Sequence, residues 1–130
     1  MAKKRKKYTD IYGSNAVNDN YGTLFESMVT SDKYEQMPLA LKHLYTLCRV
    51  QAQSEKGKRA LYQYCKTENR EVRSNFFVFP SKHMEMYGLD RSNTYKLFPK
   101  LADAGFIEII ENNKNRKGMN LYAFSDKWKK

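Results

Sequence analysis

Apolar residues recur along the chain at helical spacing in some stretches and in unbroken short runs in others. Leu41, Leu44, Tyr45 and Cys48 fall at i, i+3, i+4 and i+7, one face of a helix that begins near Leu39, with Lys42, Arg49 and Gln53 away from it. Upstream, Leu24, Phe25, Met28 and Val29 form an apolar cluster. Ser31-Asp32 reads as a helix start with Tyr34 and Met37 on one face, and Pro38 as a stop or restart. Ser54 to Gly57 breaks the pattern, and a weaker helical stretch follows with Ala60, Leu61, Tyr64 and Cys65 on one side. The polar segment Lys66 to Asn75 is expected to be partly loop. Phe76-Phe77-Val78-Phe79, bounded by Asn75 and Pro80, predicts a short strand. Ser81 is placed to cap a short helix, Lys82 to Tyr87, which Gly88 ends, and Asp90 is placed to cap the next. That next helix carries Thr94, Leu97, Phe98 and Leu101 on its apolar face and closes at Gly105; Pro99 inside it predicts a bend after Phe98. Phe106 to Ile110 predicts a strand, Lys114 to Gly118 a basic turn, and Leu121 to Phe124 a return strand. Ser125 is placed to cap a last turn holding Trp128.

Strand, short helix, tight turn, helix, strand, basic turn, strand is the order of a winged helix-turn-helix. The expected class is α+β, mainly helical, with a C-terminal two-stranded wing. A length of 130 residues fits one domain, placed at 21–130 behind a basic flexible arm and linker at 1–20.

Charge changes this picture from fold to partner. The chain has 24 Lys plus Arg against 14 Asp plus Glu, a net charge of +10, and five of the basic residues are the block Lys3, Lys4, Arg5, Lys6 and Lys7. No apolar run approaches the roughly 18–20 residues of a membrane span, and the charged N-terminus lacks an apolar signal core. The expected place is therefore the cytoplasm, with no membrane partner. Cys48 and Cys65 lie in no CxxC pair and read as reduced packing thiols. His43 and His83 lack partners at metal-ligand spacing, and no nucleophile elbow or glycine-rich phosphate loop occurs. No catalytic residue, metal or cofactor is expected.

Inside the helix-turn-helix, Leu89 is expected to plug the space between the helices while Thr94, Leu97, Phe98 and Leu101 face inward. Arg91, Ser92, Asn93, Tyr95, Lys96 and Lys100 are then left outside. Such a helix fits the major groove, where Arg91 suits guanine, Asn93 suits adenine, and Tyr95 and Lys96 suit phosphates equally well. Lys114, Asn115, Arg116 and Lys117 cluster at the expected wing tip, within reach of backbone or minor groove. Two other classes stay open: a winged-helix protein-interaction subunit, and a single-strand DNA or RNA binder using exposed tyrosines and the arm.

The segment Gly88-Leu89-Asp90-Arg91-Ser92-Asn93-Thr94-Tyr95-Lys96-Leu97-Phe98, continuing to Leu101 and on through Gly105-Phe106-Ile107, resembles the recognition-helix region of many bacterial winged-helix proteins. With Ser31, Asp32, Tyr34, Met37, Ala40, Leu44 and Tyr45 before it, Phe79-Pro80, and Phe124-Ser125-Asp126-Lys127-Trp128 after it, about 110 residues are similar to the winged-helix part of plasmid and phage replication initiators and to short relatives on mobile elements. The chain stops where longer initiators continue. The resemblance therefore implies an accessory or regulatory duplex-DNA binder in replication, conjugative transfer or transcription, associated with nucleoid or plasmid. It also implies a replication, relaxase or integrase protein as a candidate partner, with a homodimer as an option.

Overall fold

A computed structural model of the protein describes residues 24–112 and 120–129. The arm Lys3 to Lys7, and the turn with Lys114, Asn115, Arg116 and Lys117, lie outside the described residues. Among the described residues, two single-turn helices come first, α1 (Glu26–Val29) and α2 (Asp32–Glu35). They are followed by α3 (Leu39–Gln53), α4 (Glu55–Thr67), β1 (Phe76–Val78), α5 (Ser81–Met86), α6 (Arg91–Asp103), β2 (Ile107–Glu111), β3 (Leu121–Phe124) and a 3-10 turn, Lys127–Lys129. The fold is α+β and mainly helical, around a small antiparallel sheet.

The strands pair in the order β1-β3-β2. The expected two-stranded unit is thus a three-stranded sheet: β1 adds to β3, with Phe77 opposite Tyr122 and Val78 opposite Leu121. An apolar run without alternation suits a strand covered on both faces, and all of β1 is buried. Successive side chains on a strand point to opposite faces. Phe77 and Tyr122 therefore enter one layer, with Leu44, Tyr45 and Cys48 of α3 and Phe98 and Leu101 of α6. Phe76, Val78, Leu121 and Ala123 enter the other, with Leu61, Tyr64 and Cys65 of α4. α4 and α6 consequently stand on opposite faces of one sheet.

Local chemistry sets the boundaries. Ser31, Ser54 and Asp90 cap α2, α4 and α6 by accepting the N–H of Tyr34, Gly57 and Asn93. Ser81 does not cap α5, because Pro80 takes the N-cap place and Ser81 is the first helical residue. The expected break from Ser54 to Gly57 shrinks to Ser54 alone, which ends α3 and starts α4. Gly57 lies within α4 and lets that helix approach the end of α3; a Cβ there would stand 1.7 Å from the Gln51 carbonyl oxygen.

After α5, the Gly88 N–H bonds the Glu85 carbonyl at 3.0 Å and the Leu89 N–H bonds the Met84 carbonyl at 2.9 Å. This closure requires a left-handed residue, and Gly88 supplies it at φ 75. α6 ends the same way through Gly105 and Phe106, so β2 starts at Ile107 rather than Phe106. α4 ends through Asn69 and Arg70, within a polar stretch where the apolar pattern marks no boundary. Phe79 falls outside β1, just before Pro80, which has no N–H for the ladder. α6 runs unbroken through Pro99. Two further corrections concern burial. Leu97 is half-buried rather than central, and Arg49 lies over the Phe124 ring, 4.3 Å from its centroid, rather than away from the core.

Candidate nucleic-acid interface

The register of α6 is held by stacked rings. Phe98 stacks on Tyr122 with centroids 4.3 Å apart and planes 14° from parallel. Tyr122 stacks on Phe77 at 5.3 Å, and Phe77 on Phe124 at 4.5 Å. Each such pair is worth about 0.5–1.5 kcal/mol beyond its buried area, and Arg49 caps the far end of the column. Turning α6 about its axis would break the first stack, so Thr94, Phe98 and Leu101 face inward and the opposite side is fixed outward.

At about 100° per residue, Ser92, Asn93, Lys96 and Lys100 share that outward side with Pro99 and Asp103, and all are exposed. Arg91 is also exposed but sits on a flank, one turn before Tyr95, its guanidinium carbon 5.9 Å from the ring centroid. Tyr95 departs from expectation: it is half-buried and packs against the core beside Phe98, because its helical position falls next to the inward face. It also approaches Tyr122. Burial pushes the Tyr122 hydroxyl well up from its ordinary value; a hydrogen bond from Asn120 at 3.3 Å works against this, and Cys48 and Tyr95 add to it. The Arg91–Tyr95 flank thus faces the root of β3. The β2–β3 connection that holds Lys114, Asn115, Arg116 and Lys117 runs between Asn112 and Asn120. Asp90 and Asp103 bound the basic stretch at the two ends of α6.

A polar cluster that the apolar pattern hides orients α5. Gln51 continues the inward stripe of α3 and is 0% exposed. Its Nε2 donates to the Val78 carbonyl at 3.2 Å and lies 2.8 Å from His83 Nδ1. A carbonyl can only accept, so the amide orientation is fixed and His83 Nδ1 must accept as well, with the ring proton on Nε2. The Tyr87 hydroxyl donates to Gln51 Oε1 at 3.4 Å and accepts from Lys56 Nζ. Burial, then the Lys56 charge, lowers the His83 pKa from its ordinary value. This cluster ties α5 to α3, α4 and β1. A glutamine on an otherwise apolar stripe was the available signal. Burial also pushes the Cys48 thiol well above its ordinary value, as befits a packing residue.

No known protein family, curated protein or solved structure matches the chain. Among the described residues, no three His, Cys, Asp or Glu side chains converge on a metal-sized site, and no helix is long and apolar enough to cross a membrane.

Proposed function

We propose that the chain is a winged helix-turn-helix protein that binds duplex DNA with sequence preference. In this reading α5 and α6 are the helix-turn-helix, α6 is the recognition helix, and β2–β3 with their connection are the wing. The observation that carries it is the outward side of α6. Ser92, Asn93, Lys96 and Lys100 are exposed together, on a helix whose register is fixed by ring stacking, beside a hairpin whose connection holds three further basic residues. That side is polar apart from Pro99, with Lys96 and Lys100 along it and Asp103 at its C-terminal end, whereas the centre of a protein interface is depleted in lysine. The resemblance of the segments quoted above makes the protein an accessory or regulatory factor in replication, conjugative transfer or transcription of a plasmid, phage or integrative element, acting in the cytoplasm on nucleoid or plasmid DNA.

The test is selection of a preferred duplex from a randomised pool, followed by titration of variants. Log affinity should fall with log salt at about 0.9 per phosphate neutralised. Arg91→Ala and Asn93→Ala should each cost about 1–3 kcal/mol on the preferred duplex and relax its sequence preference, with no change in melting temperature. Folded variants that bind every duplex as the parent does would remove α6 from the interface.

A further inference from the structure

We propose that the outward face of α4 is a second docking surface for duplex DNA, so that one copy of the protein holds two DNA segments, one on α6 and one on α4. The inference rests on the duplex-DNA reading of α6. Lys58, Arg59, Tyr62 and Lys66 fall within about 100° of arc on α4, alongside the arc of Leu61, Tyr64 and Cys65 that packs on the sheet, with Lys58 at the border two turns before Cys65. All four are exposed, Tyr62 at 61%. Among the described residues no ion pair engages Lys58, Arg59 or Lys66. Their neighbour Lys56 differs, being bonded to Tyr87 in the cluster around Gln51. Glu55, in the first turn, is the acidic residue of this face, where the positive end of the helix dipole favours it.

The chemistry of this face suits phosphates. Lys58 and Lys66 are about 12 Å apart along the helix. A duplex carries one negative charge per roughly 1.7 Å of axis, so the stripe spans several phosphates. An acidic protein is the less favoured occupant, because the face offers a single aromatic anchor and no aliphatic one beside Lys58, Arg59 and Lys66. Position makes the duplex a second one. α4 and α6 lie on opposite faces of the sheet, and two helices with the sheet between them put their outer sides about 30 Å apart. A duplex seated on α6 would have to turn back around the protein to reach α4, whereas bending 20–30 base pairs by even 40–90° costs about 1–6 kcal/mol.

The experiment uses the full chain at one salt concentration, with a duplex of the preferred sequence on beads and a second, fluorescent duplex of unrelated sequence in solution. Anisotropy on a single duplex runs in parallel. The parent should carry the second duplex onto the beads. Lys58→Ala/Arg59→Ala/Lys66→Ala should cut that capture by about tenfold while its affinity for a single preferred duplex stays within about twofold. Alanine keeps the helix, and circular dichroism verifies the fold. Capture by the triple variant equal to that of the parent would overturn the proposal, because bridging would then come from two α6 faces of a dimer. Equal loss of capture and single-duplex affinity would also overturn it, placing α4 in one footprint with α6. A parent that binds single duplex but captures no second one would leave α4 to an acidic protein. A parent that binds no duplex at all fails at the anisotropy step, which marks the failure as that of the DNA reading itself, and the inference falls with it.

Discussion

The layer between the sheet and α6 and the layer between the sheet and α4 are built from different side chains. On the α6 side, Phe77, Phe98, Phe106 and Tyr122 are buried; Phe98, Tyr122 and Phe77 stack in turn, and Phe106 stacks on Trp128 and meets Tyr34 and Tyr45 edge-on. On the α4 side the layer is Leu61, Cys65, Val78, Leu121 and Ala123, with Phe76 and Tyr64. Tyr64 closes that layer's edge by donating to the Glu111 carboxylate, which also sits 3.4 Å from Arg70 Nε. Flat rings in register resist rotation, because a small turn forfeits the stack; aliphatic contacts change gradually as a helix turns. The helix that would read base edges is therefore the one with a fixed face. The helix that would meet only phosphates sits on the smoother layer, which is sufficient because phosphate contacts tolerate small shifts.

The largest expected effect tests that contrast directly. Phe98→Ala removes the ring stacked on Tyr122 and should cost about 3–5 kcal/mol in denaturant unfolding. Leu61→Ala, in the aliphatic layer and at its rim, should fall near the low end of the range for leucine, about 2 kcal/mol. Half-buried Leu97→Ala should cost less than either. Equal costs for Phe98→Ala and Leu61→Ala would mean that the two layers hold their helices alike.

Two glycines sharpen the comparison at the next level. Gly57→Ala on the α4 side drives a Cβ into the Gln51 carbonyl, and overpacking of this kind costs about 1–3 kcal/mol. Gly88→Ala on the α6 side meets nothing within 4 Å, so its cost is the left-handed backbone alone, about 1–2 kcal/mol. Asparagine discriminates the two causes. It tolerates a positive φ, as Asn69 does, so Gly88→Asn should cost less than Gly88→Ala, while Gly57→Asn should be at least as harmful as Gly57→Ala. Matching behaviour at both positions would refute the distinction.

What the sequence makes legible follows from the range of the forces involved. Caps at Ser31 and Asp90, the closures at Gly88 and Gly105, and the inward faces of α3 and α6 are local, so spacing and residue type reveal them. The pairing of β1 with β3 joins residues more than forty positions apart, and no local pattern encodes it. The same holds for Gln51 and His83, whose contact becomes visible only when α3 and α5 are packed. On α6, Ser92, Asn93, Lys96 and Lys100 are where the apolar period puts them. Tyr95 is not, because a residue at the edge of the inward arc follows the nearest apolar surface rather than the average direction of its face. The basic stripe of α4 is hidden for a related reason: the weak apolar pattern of that helix marks its buried side alone.

The smallest effect concerns pH, and it separates the two sides through one histidine. His83 on α5 accepts from Gln51 at Nδ1, with Val78, Tyr87 and Lys56 completing its surroundings. Protonation would set an N–H against the N–H of Gln51 and a positive charge near Lys56, and both oppose it. The folded pKa is therefore lowered, first by burial and then by Lys56, from an unfolded value of about 6.5. The sign follows from linkage: a group whose folded pKa is depressed contributes stability that is complete above the unfolded pKa and lost as pH falls through the folded one. Denaturant midpoints taken at falling pH, from about 7.5 downward, should therefore decline in the parent before carboxylates titrate. His83→Asn lacks this imidazole, while His43 is common to both proteins, and its midpoint should decline less than the parent's over the same window. Loss of protection in hydrogen exchange should appear at α5, which the cluster ties down, before it appears at α4, whose aliphatic layer contains no such group. A decline of equal slope in His83→Asn would assign the effect to groups common to both proteins and leave the cluster as packing alone.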